Sequence, residues 1–119
     1  MMATFKKTSF FALALVLAGC ASQKSLYYWG SYESQIYQMY SEPGKAPPEQ
    51  QLIKFEEDYQ KSMSQNKRMP PGFHAHVGYL YFESGKLDQA YKNFEMEKLH
   101  YPESSIYVDS LIQRMKGKK

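Results

Sequence analysis

The chain predicts an all-α protein, and three observations carry that prediction. Apolar residues recur every three or four positions, the spacing of one helix face. Segments bearing proline and glycine separate these stretches. No segment alternates apolar and polar residues as a half-buried strand would. The first helix runs from Tyr32 to about residue 40, with Ser31 in the N-cap position and Tyr32, Ile36, Tyr37 and Tyr40 at helical spacing. A loop follows at 41–47. Pro48 opens the second helix, since proline suits a first turn, and it continues to about Gln65. Its residues Leu52, Phe55, Tyr59 and Met63 fall within about 80° on a helical wheel and form its expected buried stripe. Residues 66–72 break the chain with Pro70, Pro71 and Gly72. A third helix covers about 73–84, and Gly85 makes the turn after it. A fourth covers about 88–100, with Asp88 in its first turn, where negative charge is favoured. Tyr101-Pro102 ends it. A fifth covers about 104–115, with Tyr107, Val108, Leu111, Ile112 and Met115 as its apolar face.

Ahead of this domain stands a leader. Lys6 and Lys7 precede the apolar run 10–17, and small residues follow. That order is a signal peptide's; the run is far short of the roughly 20 residues that span a bilayer. Leu17-Ala18-Gly19-Cys20 resembles a bacterial lipobox. The resemblance implies cleavage before Cys20, a diacylglyceryl group on its sulphur and a further acyl chain, palmitate for instance, on its amine. Each acyl CH₂ buried in lipid contributes about 0.8 kcal/mol, so Cys20 would hold the protein to a membrane. Domain organisation follows: leader 1–19, acylated tether 20–26 and helical domain 27–119. Ala21 follows the cysteine where an aspartate would signal inner-membrane retention, which implies an outer-membrane location facing the periplasm.

Composition narrows the functions further. Cys20 is the only cysteine, so no intramolecular disulfide is available and packing alone must hold the domain. Eleven tyrosines and one tryptophan supply large, partly polar surfaces for it. Two of the 15 basic residues, Lys6 and Lys7, belong to the leader, leaving 13 against 12 acidic ones. A near-neutral chain lacks the concentrated basic face of a nucleic-acid binder. Lys116, Lys118 and Lys119 at the tail are either a solvated end or a contact to anionic lipid or glycan.

Residues 71–104 resemble one tetratricopeptide repeat, 34 residues long. Gly78, Tyr81, Gly85, Ala90, Phe94 and Pro102 stand at its small, aromatic, turn, small, aromatic and stop positions. Val77 replaces the usual leucine, His74 the usual tryptophan and Glu97 a usual alanine, the departures of an edge or atypical unit. The physics agrees independently: Gly78 and Ala90 let two antiparallel helices approach, and Tyr81 and Phe94 fill the space beside them. One such unit cannot bury its faces alone, so the helices before and after it must serve as neighbours. The resemblance implies a short degenerate stack of about five helices.

No catalytic constellation stands out, and no enzyme or cofactor is expected. His74 and His76, two apart on a helix, point about 200° away from each other and cannot share a metal ion; a helical pair needs a spacing of three or four. Glu56, Glu57 and Asp58 diverge around their helix, and no nucleophile elbow, phosphate loop or zinc-protease motif occurs. A surface is the better candidate. In repeats of this type the inner face of the first helix holds the ligand, and that face maps onto Ala75, Tyr79, Phe82 and Glu83. Two aromatics beside an acid suit a protein partner. Either they form such a surface or the first or second helix covers them; Trp29 is likewise either a lid or an anchor.

Tyr28-Trp29-Gly30, the block 70–78 beginning Pro-Pro-Gly-Phe-His-Ala-His, Glu97-Lys98 and 101–104 together resemble a family of short bacterial outer-membrane lipoproteins of unknown function with one tetratricopeptide-like repeat. Its members are often encoded beside a lipoprotein similar to the curli secretion channel. This implies an adaptor or assembly factor in an outer-membrane complex, with that lipoprotein as a candidate partner. Two other readings are an activator of a cell-wall synthase or a pilotin, and a protein that binds or hydrolyses peptidoglycan.

Overall fold

The computed structural model describes residues 24–117. The leader, Cys20, tether residues 20–23, Lys118 and Lys119 lie outside that range. The described residues form five helices: α1 (Tyr32–Ser41), α2 (Pro48–Ser64), α3 (Phe73–Glu83), α4 (Leu87–His100) and α5 (Ser105–Lys116), with a 3₁₀ turn at Pro102–Ser104. The only extended pairing among them is a single bridge between Tyr27 and Arg68. The all-α expectation holds, and helix limits fall close to those predicted. None of the helices is long and apolar enough to cross a membrane.

The helix α3 is apolar on every side, which requires burial all round. Its Phe73, Val77 and Leu80 meet Leu52 and Phe55 of α2 and Met69 of the preceding loop, with Tyr28, Tyr32, Tyr59 and Tyr81 around them. Ala75 joins a second core with Ala90 and Phe94 of α4 and Val108 and Met115 of α5. Helices α2, α3 and α4 run antiparallel in succession. Tyr27 packs on Tyr101 at one end, where α3 starts and α4 stops. At the other end, Ser84 Oγ donates to Glu49 Oε1 at 3.3 Å.

The α3–α4 crossing explains three residues singled out by spacing. A Cβ on Gly78 would stand 2.5 Å from Phe94 Cε1 and 3.0 Å from the Ala90 carbonyl oxygen. Only glycine lets the helices pass at this distance. Tyr81 touches both cores, Gly85 turns the chain in the left-handed region, and Pro102 starts the 3₁₀ turn.

Two stripes differ from expectation. Met63 is 60 % exposed. The buried face of α2 is rotated toward Gln51, Asp58 and Ser62, which go inside because each is hydrogen-bonded: Gln51 Nε2 to the Ala46 carbonyl at 2.8 Å, Ser62 Oγ to the Tyr59 carbonyl at 2.6 Å, and Asp58 as acceptor from Ser31. Ser31 does occupy the N-cap of α1, but its side chain makes no cap. Instead its backbone N–H (2.9 Å) and hydroxyl both donate to Asp58 Oδ2. In α1, Tyr32 and Ile36 are half-buried, Tyr37 and Tyr40 are exposed with Tyr40 at the edge of a groove, and no residue is fully buried.

An exposed helical glycine gains about 1 kcal/mol on replacement by alanine. At position 78 the overlap with Phe94 must win, and Gly78→Ala is expected to lose about 1–3 kcal/mol. Urea unfolding followed by circular dichroism measures the sign; a stabilised variant would show that the helices can separate without penalty.

Candidate functional site

The block Pro70-Pro71-Gly72-Phe73-His74-Ala75-His76 builds the start of α3. Gly72 is its N-cap, in the left-handed region at φ 93°, and has no side chain to satisfy the first N–H groups of the helix. Glu97, fully buried on α4, satisfies them instead. Its Oε1 accepts from Gly72 N–H at 2.8 Å and its Oε2 from Ala75 N–H at 3.3 Å, while Ser104 Oγ donates to Oε1 at 3.2 Å. The negative group also sits at the positive end of the helix dipole. Glu97 thus has a specific task where a tetratricopeptide repeat would carry alanine.

The two histidines go to opposite sides, as their spacing dictates. His76 packs edge-on against Phe55 and Tyr32, with Nε2 3.4 Å from Gln51 Oε1. Burial pushes it down to about 4. His74 sets Nδ1 3.3 Å from Asn93 Oδ1, and burial lowers it too. Its Nε2 is the one buried side-chain polar atom without a hydrogen-bond partner among the described residues. His100, a helix away in sequence, is adjacent in space, its ring 5.6 Å from that of His74. The described residues bring together no group of three or more His, Cys, Asp or Glu placed to hold a metal ion.

On the far side of this block, α1, α3 and α5 enclose a groove of about 470 Å³. Ala75 and His76 form its floor with Tyr79, while Tyr32, Tyr40 and Tyr107 form its walls. Burial, with the Glu97 charge next in effect, pushes Tyr32 up to about 12. Burial also raises Tyr79, and the neighbouring Glu83 charge adds to this. The groove presents tyrosine hydroxyls beside the aliphatic side chains of Ile36 and Leu111, surfaces that take both apolar contact and hydrogen bonds. A second, smaller cavity of about 240 Å³ lies opposite, where α2 and α4 flank α3 beside His74 and Asn93.

Of the predicted surface residues, Tyr79 and Ala75 lie in the groove, Ala75 fully buried. Glu83 is exposed. Phe82 instead packs on the α3–α4–α5 core, since α5 closes over that side of α3. Trp29 stacks on Tyr32 (6.4 Å) and meets Tyr27 edge-on at 6.3 Å, outside the groove and 39 % exposed. The walls Tyr32, Tyr40 and Tyr107 were expected as helix stripes only. Their signal is tyrosine rather than leucine at each position, on two helices.

The fold and groove define a small all-helical domain with a tyrosine-lined recess. The domain of unknown function DUF4810 matches residues 26–111, so the chain belongs to that family. The match starts at the last tether residue and ends within α5. No curated protein and no solved structure matches the chain.

Two outcomes follow for stability. Glu97→Ala leaves the buried Ala75 N–H and the half-buried Gly72 N–H without an acceptor and should cost about 2–4 kcal/mol, with Glu97→Gln costing less; equal unfolding midpoints for the two would remove the carboxylate from this role. The second concerns pH. His76 is held neutral in the fold, while the unfolded chain takes up a proton near 6.5, so the unfolded state binds more protons between about 4 and 6.5. Stability should fall as pH drops through that window, by on the order of 2 kcal/mol at pH 5 from this group. His76→Phe should flatten the profile relative to the parent chain; parallel profiles would count against it.

Proposed function

We propose that this protein is a lipid-anchored adaptor or assembly factor of the bacterial outer membrane, acting on the periplasmic side without catalysis. Acylated Cys20 confines the domain to one leaflet, which raises its effective concentration near membrane-bound partners. The tyrosine groove receives a segment of a partner protein, and an outer-membrane lipoprotein similar to the curli secretion channel is the first candidate. The observation that carries this reading is the groove itself: an open recess with four tyrosines on three helices. Tyrosine gives large contact area at low entropic cost and keeps a hydroxyl for orientation, which is why it concentrates at binding sites. The layering supports a tetratricopeptide-like origin, with α1, α3 and α5 facing one groove and α2 and α4 behind.

A photo-activatable residue at Tyr40 or Tyr107, irradiated in intact cells, should cross-link an envelope protein. Tyr79→Ala should reduce the yield several-fold, because its ring is part of the groove floor. Capture of a cell-wall synthase or secretin subunit instead would assign the activator or pilotin role; attachment to peptidoglycan alone would overturn the adaptor reading. Cys20→Ala should release the chain from the membrane fraction.

A further inference from the structure

The segment before α1 fixes which end of the bundle faces the anchor. Tyr28 N–H donates to the Arg68 carbonyl at 2.8 Å, and the Tyr27 ring packs on Tyr101 at 6.2 Å. The chain therefore leaves the domain beside the 66–72 loop and the end of α4. Residues 20–26 span at most about 25 Å when extended, so this end cannot stand far from the bilayer. That statement rests on the acylation of Cys20 proposed above.

The same end carries unusual apolar exposure. Ile106, Leu26 and Leu99 are 86, 83 and 76 % exposed, the three most exposed aliphatic side chains among the described residues. Leu26 precedes the pinned Tyr27, Leu99 lies two residues before Tyr101, and Ile106 is in the first turn of α5. No core or groove contact uses them. Trp29, partly exposed, is at this end too. Lys24, Lys67 and Arg68 flank the Tyr27–Arg68 pairing, while of the acidic residues on the neighbouring turns Asp58 and Glu97 are buried and Glu95 and Asp109 pair with Lys98. Aliphatic and indole groups beside cations match a membrane interface, with acyl chains below and anionic phosphates above.

We infer that this end of the domain docks on an anionic lipid surface, with Leu26, Leu99, Ile106 and Trp29 in the interfacial layer and the basic residues on phosphates. Tethering makes a weak contact sufficient, because the acylated chain never leaves the surface. The five helices then stand away from the membrane, and the groove between α1, α3 and α5 opens sideways into the periplasm.

The test uses the mature chain with Cys20→Ser, which carries no lipid, and vesicles of phosphatidylethanolamine and phosphatidylglycerol. Trp29 is the only tryptophan and reports directly. Its emission should shift to the blue with a saturable dependence on lipid, and high salt should weaken the binding. Leu99→Ser with Ile106→Ser, both outside the cores, should lower the partition coefficient about five-fold or more with circular dichroism unchanged. An unshifted Trp29 emission at saturating lipid, or undiminished binding by the double variant, would overturn the inference. Failure of the anchor is seen separately, as an unacylated Cys20 in the mass spectrum of the exported chain.

Discussion

A buried carboxylate at the end of α4 closes the helix on which both cores and the groove are built. α3 begins at a glycine that cannot cap it, in a region with little access to water. Without an acceptor its first N–H groups would be left unpaired, and such groups cost about as much as a lost hydrogen bond each. Glu97 removes that cost from across the helix pair. The same contact fixes the register between α3 and α4, since Gly78 must then pass Phe94 at one particular height. It also places Ala75 and Tyr79 on the groove side and His74 on the other. Asp58 repeats the device at the start of α1. In both cases a polar side chain that is buried on its own helix serves the beginning of another.

Much of the architecture was legible because prolines and glycines mark every break and because each helix has an apolar repeat. Boundaries came out close for that reason. The face of α2 was harder to read. Apolar periodicity alone centres it on Leu52, Tyr59 and Met63, whereas Gln51, Asp58 and Ser62 are buried through hydrogen bonds to partners that one sequence does not reveal. Glu97 was visible only as a departure from a repeat pattern. Its meaning required knowing that Gly72 lies within reach, 25 residues away in the chain.

The candidate site was legible in part. Tyr79 and Ala75 belong to one helix, so a wheel could put them together. Tyr32, Tyr40 and Tyr107 come from two further helices whose placement depends on packing, and a helix-by-helix reading assigns them to stripes. Phe82 shows the converse: the wheel sets it beside Tyr79, but α5 takes it into the core. His100 was likewise distant in sequence and adjacent in space to His74.

The pairing of residues 27 and 28 with the 66–72 loop and Tyr101 has a mechanical consequence. A pull on the amino-terminal leash is delivered first to that loop and to the α4 terminus, upstream of α1. The load path bypasses the helix that walls the recess. α1 has no fully buried residue, and it is held at its start by the Asp58 contact and by Tyr32 against Phe55 and Phe73, so tension on the amino-terminal segment and the shape of the recess are set at separate points of the fold.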